Sequence, residues 1–288
     1  MHELAISHDH ALAYVPLYGA GIYGNNTQPN NKILVIDLAR RALADVISLG
    51  EYVAPHGMVT TGDGKLWVVC DIPRKLLLLD PARRAIEAAY DAPPKGPHLL
   101  SAHPDGTKLY ISAKEGDITV FDTGTRKFTA GISVRTAGTE SGNGSGTEGL
   151  TPTPDGRHLI AIDNERGDLR VIDTATNREI DRVPLMLQAL TNSKRSRLAK
   201  LMFSPDGRTL VVTAYTGGNC WLIDPADLRR QILVPLAKGP MGIAFPPDGA
   251  SVIVSSHDSG LLTRIDLAMK RAVAAYDGGS GIEVMAFY

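Results

Sequence analysis

Seven residues at equivalent places of an internal repeat carry most of the chemistry that this sequence offers. The first three of them are histidines, although the chain of 288 residues has only eight. In chain order the series is His2, His56, His98, Glu148, Lys200, Met241 and Glu283. Each position opens the innermost strand of a predicted unit, so we expect these side chains to lie near a common axis.

A divalent metal ion is one interpretation of this series. Imidazole nitrogens and carboxylate oxygens are ligands of Zn²⁺, Fe²⁺ and Mn²⁺. The predicted ligands are His2, His56, His98 and Glu148. A bound ion would polarise a carbonyl oxygen or lower the pKa of a bound water. The predicted catalytic residues are then Glu283, which would move protons, and Lys200, which would move protons or hold an anionic substrate.

Two other interpretations of the same residues stay open. In the first, the series lines a polar, water-filled channel in which Lys200 pairs with Glu148 or Glu283. In the second, the residues bind an organic ligand directly, without a metal ion.

A second set of polar residues follows the second strand of each unit, on the same face. The predicted substrate-binding residues are Tyr18, Asp71, Lys114, Asp163, Tyr215 and His257. Three long segments, residues 19–31, 136–147 and 188–199, are predicted loops on this face, and loops longer than the fold requires tend to bind ligands. The alternative is that residues 138–146 are a flexible linker and that each polar residue simply faces solvent.

The repeat that positions these residues is marked by turns. The sequence Pro-Asp-Gly occurs four times, starting at Pro104, Pro154, Pro205 and Pro247. Proline presets the backbone of such a turn and glycine accepts a positive φ, so each turn predicts a tight hairpin between short apolar strands.

A second marker is an aspartate at the end of the third strand of each unit. These residues are Asp37, Asp80, Asp122, Asp173, Asp224 and Asp266, at intervals of 43, 42, 51, 51 and 42 residues. Four short strands in each interval, without a recurring amphipathic helix, are typical of the blades of a β-propeller. The sequence therefore predicts an all-β fold in a single domain over residues 1–288.

The segment around Pro240 and the strand after it, PMGIAFPPDG and VIVS, resemble the YVTN-type propeller repeat. The resemblance covers nearly the whole chain, and it specifies fold more strongly than activity. It implies a ring that commonly has seven blades, in a family that includes lactonase-like enzymes, ligand-binding proteins and propellers attached to redox centres. By resemblance to these last members, a weaker hypothesis gives the channel histidines a haem iron.

Six complete units and one further strand, over residues 283–287, match this repeat. The sequence begins inside a unit, so we expect that the N-terminal strands of the closing blade are missing. The alternative is a ring of six blades in which the last strand adds to an edge.

Composition narrows the classes of partner. Thirty Lys and Arg residues against 31 Asp and Glu residues give a net charge of −1, which predicts neither nucleic-acid nor membrane binding. No secretory signal is recognisable, which predicts a cytoplasmic protein, or a periplasmic one if an upstream segment is missing. Cys70 and Cys220 have no CxxC partner and are interpreted as packed thiols.

These observations lead to two competing predictions of function. The first is a small-molecule-acting enzyme, a metal-dependent hydrolase or lyase of lactonase-like character. The second is a non-catalytic module that binds a small molecule or a protein on the same face.

Overall fold

The computed structural model describes residues 3–22, 24–93, 96–114, 116–134, 146–163, 167–186 and 198–288. Its regular elements over these residues are 24 β-strands in six four-stranded antiparallel sheets. Every sheet is a meander, since the strands pair in the order in which they follow along the chain. The prediction of an all-β fold of four-stranded units is confirmed.

Contacts between Cα atoms divide the chain into two compact units, Met1–Gly131 with Tyr288 and Ile132–Phe287. The first unit contains three sheets. Sheet 1 consists of β1 (Ala5–Ile6), β2 (Leu12–Ile22), β3 (Asn25–Asp37) and β4 (Ala42–Ser48). Sheet 2 consists of β5 (Val53–Thr60), β6 (Leu66–Ile72), β7 (Lys75–Asp80) and β8 (Ala85–Asp91). Sheet 3 consists of β9 (Pro97–Ala102), β10 (Lys108–Ala113), β11 (Ile118–Asp122) and β12 (Lys127–Ile132).

The second unit contains the other three sheets. Sheet 4 consists of β13 (Leu150–Pro152), β14 (His158–Asp163), β15 (Asp168–Asp173) and β16 (Arg178–Pro184). Sheet 5 consists of β17 (Leu198–Phe203), β18 (Leu210–Ala214), β19 (Asn219–Asp224) and β20 (Asp227–Pro235). Sheet 6 consists of β21 (Pro240–Ala244), β22 (Ser251–Ser256), β23 (Leu261–Asp266) and β24 (Arg271–Asp277).

Two aspartates recur in the units of the repeat, one in the turn of the first hairpin and one at the end of the third strand. Both accept hydrogen bonds that stabilise a turn. In the first hairpin of sheet 4, Asp155 accepts hydrogen bonds from the Thr153 hydroxyl and the Arg157 backbone N–H. At the end of the third strand, Asp173 accepts from the backbone N–H and the hydroxyl of Thr176. These bonds lower the pKa of both carboxyl groups. The aspartates are therefore explained by turn geometry.

The hydrophobic core lies between neighbouring sheets of each unit. In the first unit, Trp67 packs against Phe121 with ring centroids 5.3 Å apart, which joins sheets 2 and 3. In the second unit, Trp221 is fully buried among the side chains of sheets 4 and 5. Both tryptophans therefore pack between neighbouring sheets.

Both cysteines are free and completely buried. Burial raises the pKa of the Cys220 thiol to about 12 and raises that of Cys70 further, with a contribution from the charge of Asp71. The interpretation as packed thiols agrees with this. Within the described ranges, no helix has the length and apolar character needed to cross a membrane.

Two predictions of local structure are wrong. Residues 19–31 were expected to form a long loop, but most of them extend β2 and β3 into a long hairpin. Gly19 and Gly21, with φ of 117° and 130°, lie at irregularities of the pairing, which lets the strands continue through bulges. The strand expected over residues 283–287 is absent, and just before this segment the Ser255 hydroxyl donates a hydrogen bond to the Ile282 carbonyl oxygen.

Candidate functional site

His56 and His98 lie at bulges near the start of their innermost strands. Pairing of β5 with β6 shifts between Pro55 and Met58, and pairing of β9 with β10 shifts between the partners of Ile111 and Ala113. His56 and His98 fall within these shifts. A bulge leaves backbone groups outside the regular ladder and re-aims the side chains there.

Buried hydroxyl groups satisfy the backbone at these bulges. Ser112 accepts a hydrogen bond from Leu99 N at 2.8 Å, next to His98. Thr213 accepts from Lys200 N at 3.1 Å, and Ser255 accepts from Gly242 N at 2.9 Å. All three hydroxyl residues are fully buried. Their role was not predicted, although the sequence shows a Ser or Thr at the same place in three second strands.

A glycine brings the first two histidines together. A Cβ atom on Gly57 would lie 2.4 Å from the His98 carbonyl oxygen and 2.8 Å from Leu100 N. Both neighbours are backbone atoms, so only glycine permits β5 and β9 to approach this closely. The sequence signal for this contact is Gly57, directly after His56. Its role was not predicted.

The result is a group of four side chains in the first unit, which we call the histidine cluster: Tyr18, His56, Asp71 and His98. The imidazole rings of His56 and His98 lie 4.0 Å apart between centroids and are tilted by 47°. Tyr18 stands edge-on to His56 at 5.2 Å and donates a 2.6 Å hydrogen bond to Asp71 Oδ2. His56, His98 and Tyr18 are 5%, 6% and 2% exposed.

Tyr18 is positioned by the extended hairpin of sheet 1. Asn26 in β3 donates its side-chain N–H to the Tyr18 carbonyl oxygen at 2.8 Å. Asp71 closes β6 in the neighbouring sheet, so the Tyr18–Asp71 bond joins sheets 1 and 2. Four residues predicted from the sequence therefore meet in the first unit.

A second group lies in the second unit, and we call it the Tyr215 cluster: Tyr215, His257, Asp258 and Glu283. Tyr215 donates a 2.6 Å hydrogen bond to Asp258 Oδ1. His257 Nδ1 lies 2.9 Å from the same carboxylate oxygen, and its Nε2 lies 3.5 Å from Glu283 Oε1. Two hydrogen bonds lower the pKa of Asp258. The bond from Tyr215 has the larger effect and the bond from His257 the smaller.

The Tyr215 cluster is more open than the histidine cluster. The side chains of His257 and Asp258 are 32% and 42% exposed, and that of Glu283 is 16% exposed. Three predicted residues, Tyr215, His257 and Glu283, are therefore brought together at a place that solvent reaches.

Of the other predicted residues, Asp163, Lys114, Glu148 and Lys200 are in the described part of the chain. Asp163 is almost fully buried and accepts two hydrogen bonds from Arg170, at 3.1 and 2.6 Å, while Arg170 also pairs with Glu179. Lys114 and Glu148 are each 9% exposed, and Lys200 is half-buried. His2 and the greater part of the predicted loops 136–147 and 188–199 fall outside the described residues.

The donor set was tested against the requirements of a metal ion. A protein site for Zn²⁺ needs at least three side-chain ligands. Over the residues that the structure describes, no three His, Cys, Asp or Glu side chains form a group that could hold a metal ion. The histidine cluster supplies two imidazoles, and the remaining predicted donor from the first unit is His2.

Comparisons with known proteins identify the fold. Hydrazine synthase of Kuenenia stuttgartiensis matches with a TM-score of 0.77 and 17% identity over 98% of this chain and 88% of that chain. The Cps50 (Swd1) β-propeller domain of Myceliophteria thermophila matches with a TM-score of 0.72 and 14% identity over 99% and 89%. The chain is a β-propeller.

The same comparisons leave the family undetermined. No family model matches this sequence, and no curated protein matches it. At 14% and 17% identity, the two structural neighbours show the propeller fold alone. The resemblance to the YVTN-type repeat therefore stays a prediction.

Proposed function

We propose that this propeller acts on a small molecule and that His56 and His98 are the core of a divalent metal site. One observation carries the proposal: two imidazoles from neighbouring sheets, 42 positions apart in the sequence, pack 4.0 Å apart and are almost completely buried. Imidazole is the commonest metal ligand of proteins, and here two imidazoles from different strands meet at one place.

His2 is the third ligand in this proposal. It stands at the same repeat position as His56 and His98, in the preceding unit of the sequence. Zn²⁺, Fe²⁺ or Mn²⁺ would supply Lewis-acid activation of a carbonyl or of water when bound. This chemistry is that of a hydrolase or lyase.

The chain's own residues would orient the substrate. The Tyr18 hydroxyl donates a 2.6 Å hydrogen bond to Asp71, so both side chains have a fixed orientation. Preorganised polar groups of this kind bind a substrate without losing side-chain freedom at the moment of binding.

In the second unit, we propose that Glu283 and His257 exchange protons across their 3.5 Å separation. Lys200, by its charge, is the proposed anchor for an anionic substrate group.

A metal analysis tests the proposal. The full chain, purified without a histidine tag and supplemented with Zn²⁺, Fe²⁺ and Mn²⁺ in turn, should retain about one equivalent of one of them. His56→Ala and His98→Ala should each reduce the amount of bound metal at least about tenfold. His8→Ala, at an exposed turn, should leave the amount of bound metal unchanged. Thermal unfolding of each variant confirms that it is folded. If the unchanged chain retains less than about 0.1 equivalent of metal, the proposed metal site is wrong.

A non-catalytic binding module is the second candidate. It is favoured by the finding that the described residues contain no three-ligand group. In this case the histidine cluster binds an organic ligand directly, and binding survives treatment with a chelator. The two structural neighbours do not decide the matter, because one is named as a synthase and the other as a propeller domain, and a fold supports many functions.

A further inference from the structure

A cavity in the second unit lies away from both clusters. It has a volume of about 650 Å³, within the range of about 300–1,000 Å³ that is typical of small-molecule sites. Its walls come from the tight turns of sheets 5 and 6, whereas Tyr215 and His257 follow the second strands of those sheets. The cavity is therefore built from the opposite ends of the strands.

The charged residues that line this cavity are mostly cationic. Arg208, Arg230 and Lys270 contribute three positive charges, and Asp224 contributes the only negative charge among the lining residues. Among the described lining residues, three cations therefore accompany one carboxylate, and two further carboxylates, Asp206 and Asp227, lie beside the arginines.

The two arginines are held loosely by their own carboxylates. The Arg208 guanidinium lies 4.0 Å from Asp206, and that of Arg230 lies 3.8 Å from Asp224 and 3.4 Å from Asp227. A charge-assisted hydrogen bond is usually about 2.7–2.9 Å long. The neighbouring Arg229 shows the contrast, because it binds Asp181 with two bonds of 2.9 and 3.0 Å. Arg208 and Arg230 thus keep donors available for a ligand.

The remaining wall is apolar. Leu222, Ile232 and Leu267 line the cavity together with Pro225 and Ala226. A ligand that fits this lining has an anionic head for the cations and an apolar body for the opposite wall.

We propose that this cavity binds a small organic phosphate monoester. Such a group carries about −1.5 to −2 charges at pH 7, and the three cationic side chains of the lining can donate to its oxygens. The planar guanidinium forks suit the tetrahedral arrangement of phosphate oxygens. The site is independent of the histidine cluster and of the proposed metal chemistry.

Titration calorimetry with phenyl phosphate tests this assignment. We expect binding to the full chain, tighter than that of inorganic phosphate because the apolar wall contributes. The double variant Arg208→Ala/Lys270→Ala should weaken binding at least about tenfold, and Lys270→Gln alone by less.

Arg157→Ala is the matched control, since Arg157 occupies the same place in the corresponding Pro-Asp-Gly turn of sheet 4 and is 80% exposed. It should leave the affinity within about twofold, because Arg157 is not among the lining residues and solvent screens its exposed charge. His56→Ala should also leave it unchanged, which separates this site from the proposed function. The assignment is overturned if phenyl phosphate does not bind the unchanged chain. Equal weakening by Arg157→Ala, or loss of binding in His56→Ala, also overturns it.

Discussion

The histidine cluster and the Tyr215 cluster share a bridge between neighbouring sheets but differ in what stands beside it. In both, a tyrosine after or near the end of a second strand donates a 2.6 Å hydrogen bond to an aspartate of the next sheet. In both, a histidine ring lies next to that tyrosine, at 5.2 Å in the first unit and 6.0 Å in the second.

The difference lies in burial and in the second partner of the histidine. His56 is 5% exposed and packs against another imidazole, whereas the His257 side chain is 32% exposed and approaches the carboxylate of Glu283. The two histidines also come from different places of the repeat, since His56 is at the first position of the innermost strand of sheet 2, where sheet 6 has Met241, and His257 follows the second strand of sheet 6. The repeat thus supplies the same bridge twice, with different chemistry around it.

The largest expected effect concerns the two glycines beside these clusters. Gly57→Ala places a Cβ against three backbone atoms at 2.4–2.9 Å, while Gly242→Ala meets the Ser255 hydroxyl at 2.7 Å and backbone of Glu283 at 3.1 Å and beyond. The Ser255 hydroxyl can rotate away at the cost of its hydrogen bonds to Gly242 N and the Ile282 carbonyl, whereas the backbone atoms next to Gly57 cannot move alone. We expect Gly57→Ala to lower the free energy of unfolding by about 3 kcal/mol or more and Gly242→Ala by about 1–2 kcal/mol.

Urea denaturation of both variants and of the unchanged chain measures this difference. Equal losses, or a larger loss in Gly242→Ala, would show that the close approach of β5 and β9 does not constrain the histidine cluster. Gly64→Ala is not a suitable control despite its open surroundings, because its φ of 77° strains any other residue.

A smaller effect is expected at the exposed hydrogen bond between Tyr215 and Asp258. Its contribution to the free energy of unfolding should depend on pH. The hydrogen bond from Tyr215 keeps the pKa of Asp258 below its ordinary value of 3.8. A carboxyl group with a lowered pKa contributes stability that is present above that ordinary value and is lost as the pH falls through the folded value. Tyr215→Phe should therefore be less stable than the unchanged chain at pH 6, by no more than about 0.5 kcal/mol, and the gap should narrow toward pH 3.

Urea unfolding at the two pH values, with a carboxyl-carbon NMR titration of Asp258, checks this expectation. The pKa of Asp258 should rise toward 3.8 in the variant. A stability gap that stays constant between pH 6 and pH 3 would contradict the role given to the Tyr215 hydroxyl.

The sheets could be predicted because their markers are local. Each strand-ending aspartate caps its own turn, as Asp173 does with Thr176, so sequence spacing alone carries the period. The extended hairpin of sheet 1 could not be predicted from the sequence. Glycines such as Gly19 and Gly21 are typical of loops, and only the partner strand shows that they form bulges.

The pairing of polar residues was also beyond the sequence pattern. Asp163 was predicted to bind substrate, but it accepts two hydrogen bonds from Arg170, which lies opposite Ala161 on the paired strand. The contact between His56 and His98 was predicted from equivalent repeat positions. Its closeness depends on Gly57, whose role appears only when the neighbouring strand is in place.

Ligand counting on the zinc-loaded chain tests the central claim most directly. X-ray absorption at the zinc edge should show at least two imidazole nitrogens at about 2.0–2.1 Å from the metal. The same spectrum should lose one imidazole in His98→Ala and keep all of them in His257→Ala, which alters the other cluster. A spectrum without imidazole ligands, or one that His98→Ala leaves unchanged, would contradict the assignment of the buried histidine pair as the metal-binding core.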